Sequence, residues 1–333
     1  MALLRKINTG ARTDEMTGLS TRANDNAGRI FNKDGSNNVR IRGVHVLRRF
    51  SIFRFMLEMP FWKFLVVILA GYLAVNLFFA AVYSLIGVEH LGGMDAKTLD
   101  GKFWEAFFFS AQTLSTVGYG HVYPSGMPAN IVAATESLLG LLMFAIATGL
   151  MYGRFSQPKA YIQFSNNALV APFKNGTAMM LRFAPYKNHQ LSEVEVKVTL
   201  ALPVFDNGNL RTRFYNMELE ISKANALALN WTVVHAMNEN SPFYRLTKEE
   251  ILNSGAEILV YIKAYDEGYA NTVISRSSYT MDELVFGARF VLMYEPDEKG
   301  KHTILDHGRL HRYELVDLPD ELTADSRQMA AGR

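Results

Sequence analysis

"STVGYGHVYP", residues 115–124, carries two glycines, a threonine and two tyrosines, and no Asp, Glu, Lys or Arg. It stands between two long apolar stretches. Before it, Phe64–Val88 (FLVVILAGYLAVNLFFAAVYSLIGV) runs about 25 residues without a charge; after it, Ala129–Gly153 (ANIVAATESLLGLLMFAIATGLMYG) is interrupted only by Glu136. About 20 apolar residues cross the hydrocarbon layer as a helix, so each stretch is long enough to span. A buried helix of a large soluble protein is the alternative for each, but such helices rarely run so far uncharged. A glycine-broken loop between two spans must be packed within protein or line water, because each unpaired backbone N–H or C=O in lipid costs several kcal/mol.

The 333 residues suit about two domains. The formal net charge of +2 leaves no overall basic footprint, and no nucleic-acid partner is expected. Cysteine is absent, which excludes disulfide staples and thiolate metal sites. The N-terminus, MALLRKINTGARTDEMTG, turns polar after Leu4 and lacks the apolar core of a signal peptide. Residues 1–60 are polar and basic, 61–153 oily, and 154–333 read as a soluble domain. Arg40, Arg42, Arg48, Arg49, Arg54 and Lys63 precede the first span and Arg154 and Lys159 follow the second, whereas the segment between has only Lys97 and Lys102 among several acids. By the positive-inside rule both termini are cytoplasmic in an inner-membrane, multi-pass topology, and the glycine loop faces outward.

Directly before the loop, Phe103–Ser115 (FWEAFFFSAQTLS) is too short to span but suits a re-entrant helix of about three turns. The order span, half-span, TVGYG, span resembles the pore module of potassium channels, whose filters replace the ion's hydration with rings of backbone carbonyls. Here the carbonyls would come from Thr116, Val117, Gly118 and Tyr119, with the Thr116 hydroxyl. Gly118 and Gly120 would permit the backbone angles that aim successive carbonyls alike. The negative end of the short helix would point at the ion path. One chain supplies one loop and a closed ring needs four, which implies a homotetramer. Potassium is then the permeant ion, with no cofactor. The channel resemblance also brings the class label voltage-gated.

Past Pro158 the period changes to two. Ser192–Leu202 (SEVEVKVTLAL) alternates as a half-buried strand, Glu257–Tyr265 and Phe286–Tyr294 read as further strands, and Asn175-Gly176 and Asn207-Gly208 signal hairpin turns. Short strands with regular turns read as an immunoglobulin-like β-sandwich. No G-x-G-x-x-G follows a strand, so a Rossmann-type domain is not expected. No Ser/His/Asp motif, metal cluster or phosphate loop suggests an enzyme.

Over about residues 29–315 the chain resembles inwardly rectifying potassium channels, particularly the prokaryotic KirBac branch. Arg29–Val39 (RIFNKDGSNNV), Trp231–Ile251 (WTVVHAMNENSPFYRLTKEEI) and Ser275–Val291 (SRSSYTMDELVFGARFV) carry the likeness. It implies a tetrameric vestibule of sandwiches below the pore. It implies segments 1–47 (cytoplasmic), 48–59 (interfacial slide helix), 60–157 (two transmembrane helices plus a re-entrant pore helix), 158–316 (sandwich) and 317–333 (tail). Residues 1–28 and the tail read as disordered, being polar and aperiodic.

The resemblance places Phe144 where strong rectifiers carry an acid or Asn, which implies weak rectification. It places Tyr152 at the narrow cytoplasmic crossing. Phe144, Thr148 and Tyr152 recur at helical spacing, as pore lining or as ordinary helix packing. Gln112 stands where many members have a Glu behind the filter, and His121 follows the loop as an exposed histidine or a proton sensor. Glu136 is either a structural carboxylate supporting the filter or an ion-attracting group. Gly140 and Gly149 serve as hinges or as close-packing positions. Arg49 and Arg54 on the amphipathic Arg48–Met59, with Arg154 and Lys159, are the basic groups expected to meet anionic lipid. A weakly selective cation channel and a membrane-anchored binding protein are the rival readings.

Overall fold

The structure is a computed structural model describing residues 8, 11–14, 18, 29–40, 42–43, 45, 51–187, 190–206 and 209–319. It divides into two compact units, 42–157, and 1–41 with 158–333.

The first unit is helical. Its elements are α1 (Ile52–Glu58), α2 (Phe61–Ile86), the two-residue strand β1 (Leu91–Gly92), α3 (Leu99–Leu114), β2 (Tyr123–Pro124) and α4 (Met127–Phe155). Local chemistry sets the ends. The Ser51 hydroxyl caps α1 by accepting from the Arg54 N–H at 3.3 Å, and the Thr98 hydroxyl caps α3 through the Gly101 N–H at 3.2 Å. Gly87, at φ 112°, stops α2, while Gly126, at φ 81°, turns the chain into α4 with Pro128 in its first turn. α2 and α4, 26 and 29 residues long, are the two helices among the described residues long and apolar enough to cross a membrane. At 1.5 Å per residue they reach about 39 and 43 Å. They begin a little earlier than the uncharged stretches, α2 taking in Lys63.

α3 is inserted between them. Phe79, Ala80 and Tyr83 of α2 pack with Ala106 and Phe109 of α3 and Ala133 of α4, the three alanines letting the backbones approach. β1 pairs with β2, tying the entry to α3 to the exit of the glycine loop.

The second unit is a sandwich. One sheet holds β3 (Ile162–Phe164), β4 (Ala168–Phe173), β5 (Gly176–Pro185), β9 (Trp231–Ala236) and β12 (Leu284–Phe286); the other holds β6 (Leu191–Asp206), β7 (Asn209–Met217), β8 (Lys223–Leu227), β10 (Glu257–Asp266) and β11 (Asn271–Thr280). All pairings in the two sheets are antiparallel except β12 with β4. Between the sheets lie Val170, Met179, Leu181 and Val233 against Val194, Val196, Val198, Ile258, Val260 and Ile262. Each such side chain, fully buried, contributes about 1.5–3 kcal/mol.

Three expectations change here. Phe286–Tyr294 is not one strand: it divides among β12, Ala288–Phe290 and Tyr294–Pro296, which belong to three different sheets. Gly287 breaks it at φ 68°, where a side chain would crowd the Val316 carbonyl at 2.9 Å. The β4–β5 turn is Lys174-Asn175 rather than Asn175-Gly176, since Phe173 pairs with Gly176 and Lys174 takes φ 51°. Residues 207–208 lie outside the described set, though Asp206 pairs with Asn209 around them. The N-terminal segment is not featureless either. Thr13 bridges Tyr215, and the buried Asp14 pairs with Lys197 at 2.8 Å. The rest of residues 1–28, apart from 8, 11–14 and 18, and the tail from 320 onward, lie outside the described residues.

Candidate functional site

The loop after α3 is built on that helix's last turn. The Thr116 N–H donates to the Thr113 carbonyl at 3.1 Å, and the N–H groups of Val117 and Gly118 both donate to the Gln112 carbonyl, at 2.9 and 3.3 Å. A trans peptide holds its C=O opposite its N–H. The carbonyls of Ser115, Thr116 and Val117 therefore point away from the helix end, toward a common side. Dihedrals keep the pattern going: Thr116, Gly118 and Gly120 have φ of 60°, 55° and 83°, while Val117 and Tyr119 between them do not enter that region. In an ordinary strand successive carbonyls alternate; alternating the hand of the backbone residue by residue brings them into one row. Glycine does this freely, but Thr116 holds it at about 1–2 kcal/mol. Residues 115–120 are exposed in the single chain, Tyr119 by 80%. Gln112 thus supports the loop through its main-chain carbonyl.

On α4, Glu136 has no exposed surface. One carboxyl oxygen accepts from the Tyr83 hydroxyl at 2.6 Å and the other from the Ser110 hydroxyl, which also lies 3.1 Å from the Asn76 amide oxygen. Asn76 and Tyr83 sit on α2, Ser110 on α3 and Glu136 on α4, so one polar cluster joins the three helices. Tyr83, Ser110 and Asn76 were missed from sequence. The signal available was polar side chains inside apolar spans, which must face a partner or water.

Gly140 and Gly149 differ. A Cβ on Gly140 would overlap the Leu114 carbonyl oxygen and come within 2.8 Å of its carbon, whereas nothing lies within 4 Å of one on Gly149. α4 runs unbroken through both. Phe144, Thr148 and Tyr152 share a face of α4 left uncovered, Phe144 and Tyr152 being 74% and 73% exposed. His121 stands 3.6 Å from the Asp95 carboxylate beside the loop exit, both well exposed.

The four basic groups separate. Arg54 is exposed and pairs with Glu58 at 2.6 Å. Lys159 is exposed. Arg49 lies outside the described residues. Arg154, expected to face lipid, instead turns onto carbonyls of residues 56, 57 and 59.

In the sandwich unit, Arg29–Asn38 lies across the β6–β10–β11 sheet. Ile30 and Phe31 pack on Ala201, Phe214 and Leu259, and their N–H groups donate to the Glu257 carboxylate at 2.7 and 3.3 Å. Burial raises the Glu257 carboxyl above the usual range against these hydrogen bonds. Arg29 and Lys33 both meet Glu283, at 2.7 and 3.1 Å, and burial pulls the Lys33 ammonium down to about 8. The RIFNKDG stretch is thus a strap on the sheet.

Residues 162–331 match the family model described as inward rectifier potassium channel C-terminal domain, and 48–157 match one described as ion channel. The chain is similar to the inward rectifier potassium channel Kirbac3.1 of Paramagnetospirillum magnetotacticum, 32% identical over 285 residues, 85% of this chain and 95% of that one. It is 27% identical over 290 residues to the G protein-activated inward rectifier potassium channel 2 of Pongo abelii, covering 79% and 67% of the two chains. The same channel of Mus musculus gives 27% over 290 residues, covering 79% and 66%. The label voltage-gated does not carry over. A voltage sensor needs an Arg-rich helix, and the two membrane-length helices hold Lys63 and Arg154 as their only basic residues.

Proposed function

The chain belongs to the inward rectifier potassium channel family, KirBac type, and is a membrane potassium channel, not an enzyme; on that premise we propose that it works as a homotetramer whose filter is residues 116–120. The observation that carries this is the common direction of the Ser115, Thr116 and Val117 carbonyls, with the alternating φ that continues to Gly120: one chain would present one side of a cage, and four around an axis would close it. Potassium, the permeant ion, exchanges its water for carbonyls of Thr116, Val117, Gly118 and Tyr119 and moves passively between adjacent sites. Gln112 fixes the loop through its backbone, and the Glu136 cluster holds the three helices around it.

Below the filter, Phe144, Thr148 and Tyr152 line the axis, with Tyr152 as the constriction. An uncharged ring at Phe144 gives internal cations little to hold, and rectification is weak. Both termini are cytoplasmic in the inner membrane, as the basic residues flanking the spans favour. Anionic lipid modulates gating through Lys159 and the Arg54 side of α1.

Gly118→Ala tests the reading. With a Cβ resisting the left-handed backbone, rubidium uptake into potassium-loaded proteoliposomes should disappear while a tetramer is still recovered in detergent. Uptake at the wild-type rate would remove this loop from the conduction path; a monomeric wild type would remove the tetramer.

A further inference from the structure

Arg154 sits in the last turn of α4, two residues after Tyr152. One guanidinium nitrogen donates to the Met56 and Leu57 carbonyls at 2.7 and 3.0 Å, the other to the Met59 carbonyl at 2.7 Å. The guanidinium carbon lies 5.0 Å over the Phe64 ring. Among the described residues no carboxylate pairs with it. These carbonyls belong to the last turn of α1 and its cap, where a helix leaves its C=O groups without intrahelical partners and concentrates the negative end of its dipole. A cation delivered here from another helix does what a basic residue in α1's own last turn would do, and α1 has none there. Apolar contacts reinforce the junction. Met56, Met59 and Phe64 pack with Leu150 and Met151, and the Phe61 and Phe155 rings lie 6.2 Å apart.

We propose that Arg154 is a positioning residue of the gate: its planar fork latches the interfacial helix α1 to the end of α4, so that a displacement of α1 in the membrane surface moves the Tyr152 turn. The proposal rests on the reading of Tyr152 as the constriction. It differs from a direct lipid contact in what the side chain must be. A lipid headgroup needs only positive charge at this position, which lysine keeps. Three carbonyls of one helix end need donors fanned in a plane, which arginine provides and the point charge of lysine does not.

The chain has no cysteine, so an introduced pair reports without background. A Cβ on Gly153 would lie 3.4 Å from the Leu57 side chain, which makes Leu57→Cys with Gly153→Cys a direct ruler of the junction. Oxidative cross-linking of this pair is measured in the full-length tetramer with Arg154, with Arg154→Lys, with Arg154→Gln and with Lys159→Gln. Rubidium flux against the phosphatidylglycerol fraction of the vesicles is measured for the same single variants without the cysteines. The latch predicts that both Arg154 variants lower cross-linking several-fold and flatten the lipid response, lysine nearly as much as glutamine, with the tetramer retained. Lys159→Gln should leave cross-linking at its wild-type level. Wild-type cross-linking and lipid response in Arg154→Lys would overturn the proposal in favour of simple charge. Lost cross-linking with an unchanged lipid response would overturn it differently, leaving a structural junction that does not drive the gate. Failure of the gate reading itself is separable: Tyr152→Ala would then leave basal flux unchanged.

Discussion

Gly140→Ala places one methyl group onto the Leu114 carbonyl oxygen, with the carbonyl carbon and Cα at 2.8 and 3.1 Å. These are backbone atoms of the last residue of α3, directly before the glycine loop, so no side chain can rotate away. Either α4 withdraws or the end of α3 shifts. Overpacking of this kind costs about 1–3 kcal/mol. Alanine regains about 0.8–1.0 kcal/mol over glycine in a helix interior. The net is a loss of up to about 2 kcal/mol, as much as roughly thirty-fold in an equilibrium constant. Because the displaced atoms hold the Gln112–Thr116 turn, the damage should appear in selectivity as well as stability. Gly149→Ala is the matched control, since its Cβ meets nothing within 4 Å in the chain and it should gain the helix propensity alone. The assay is the thermal midpoint of the detergent-solubilised protein, with potassium-to-sodium permeability from reconstituted flux. Gly140→Ala should lower both and Gly149→Ala neither. Wild-type behaviour of Gly140→Ala, or equal damage from Gly149→Ala, would refute the close-packing account and return both glycines to a hinge role.

Phe144→Asp should strengthen internal spermine block by at least about tenfold, which needs only about 1.4 kcal/mol, since four carboxylates would face a confined cavity; equal block in wild type and variant, read from currents in planar bilayers, would remove Phe144 from the pore. Tyr152→Ala should raise basal rubidium flux without altering selectivity, because a dewetted apolar constriction blocks ions without charge; flux no greater than wild type places the gate elsewhere. In the sandwich, His235 is buried between the Glu218 carbonyl at 2.7 Å and the Ser241 hydroxyl at 2.8 Å, and burial holds its imidazole below its ordinary range. With the folded value below the unfolded value of about 6.5, its contribution is whole above that pH. It is lost progressively as pH falls from there toward the folded pKa. The unfolding midpoint of the sandwich in the intact protein should therefore drop between pH 7 and 5, and less so in His235→Gln; parallel curves would contradict this.

The spans were legible because uncharged length is a coarse signal that hydrocarbon thickness enforces, and the helix between them because its aromatic run is too short to span. The sandwich was legible where strands alternate, as in Val194, Val196 and Val198. Phe286–Tyr294 misled because β propensity does not register a positive φ at Gly287, which divides the segment among sheets. Lys174 was hidden for a similar reason: the turn position follows from the pairing of β4 with β5, not from the Asn-Gly signature. At the site, Gly118 and Gly120 announced their backbone angles by lacking a side chain, whereas Thr116 adopts the same conformation under the hold of α3's end and announces nothing. Glu136 stood out as the only acid in its span, but its partners Tyr83 and Ser110 come from other helices, and no local pattern names them. Arg154 reads as lipid-facing from sequence because a basic residue at a membrane edge suggests a headgroup. Only the helix packing reveals the carbonyls of α1 beside it.

The carbonyl row of residues 116–119, closed by four copies, is proposed to pass potassium and reject sodium. The most direct test is the reversal potential of the purified channel in a planar bilayer with potassium chloride on one side and sodium chloride on the other. The expected reversal potential lies far toward the potassium equilibrium value, and it collapses toward zero for any current that survives in Gly118→Ala. A wild-type reversal potential near zero, with both ions carrying current, would contradict it.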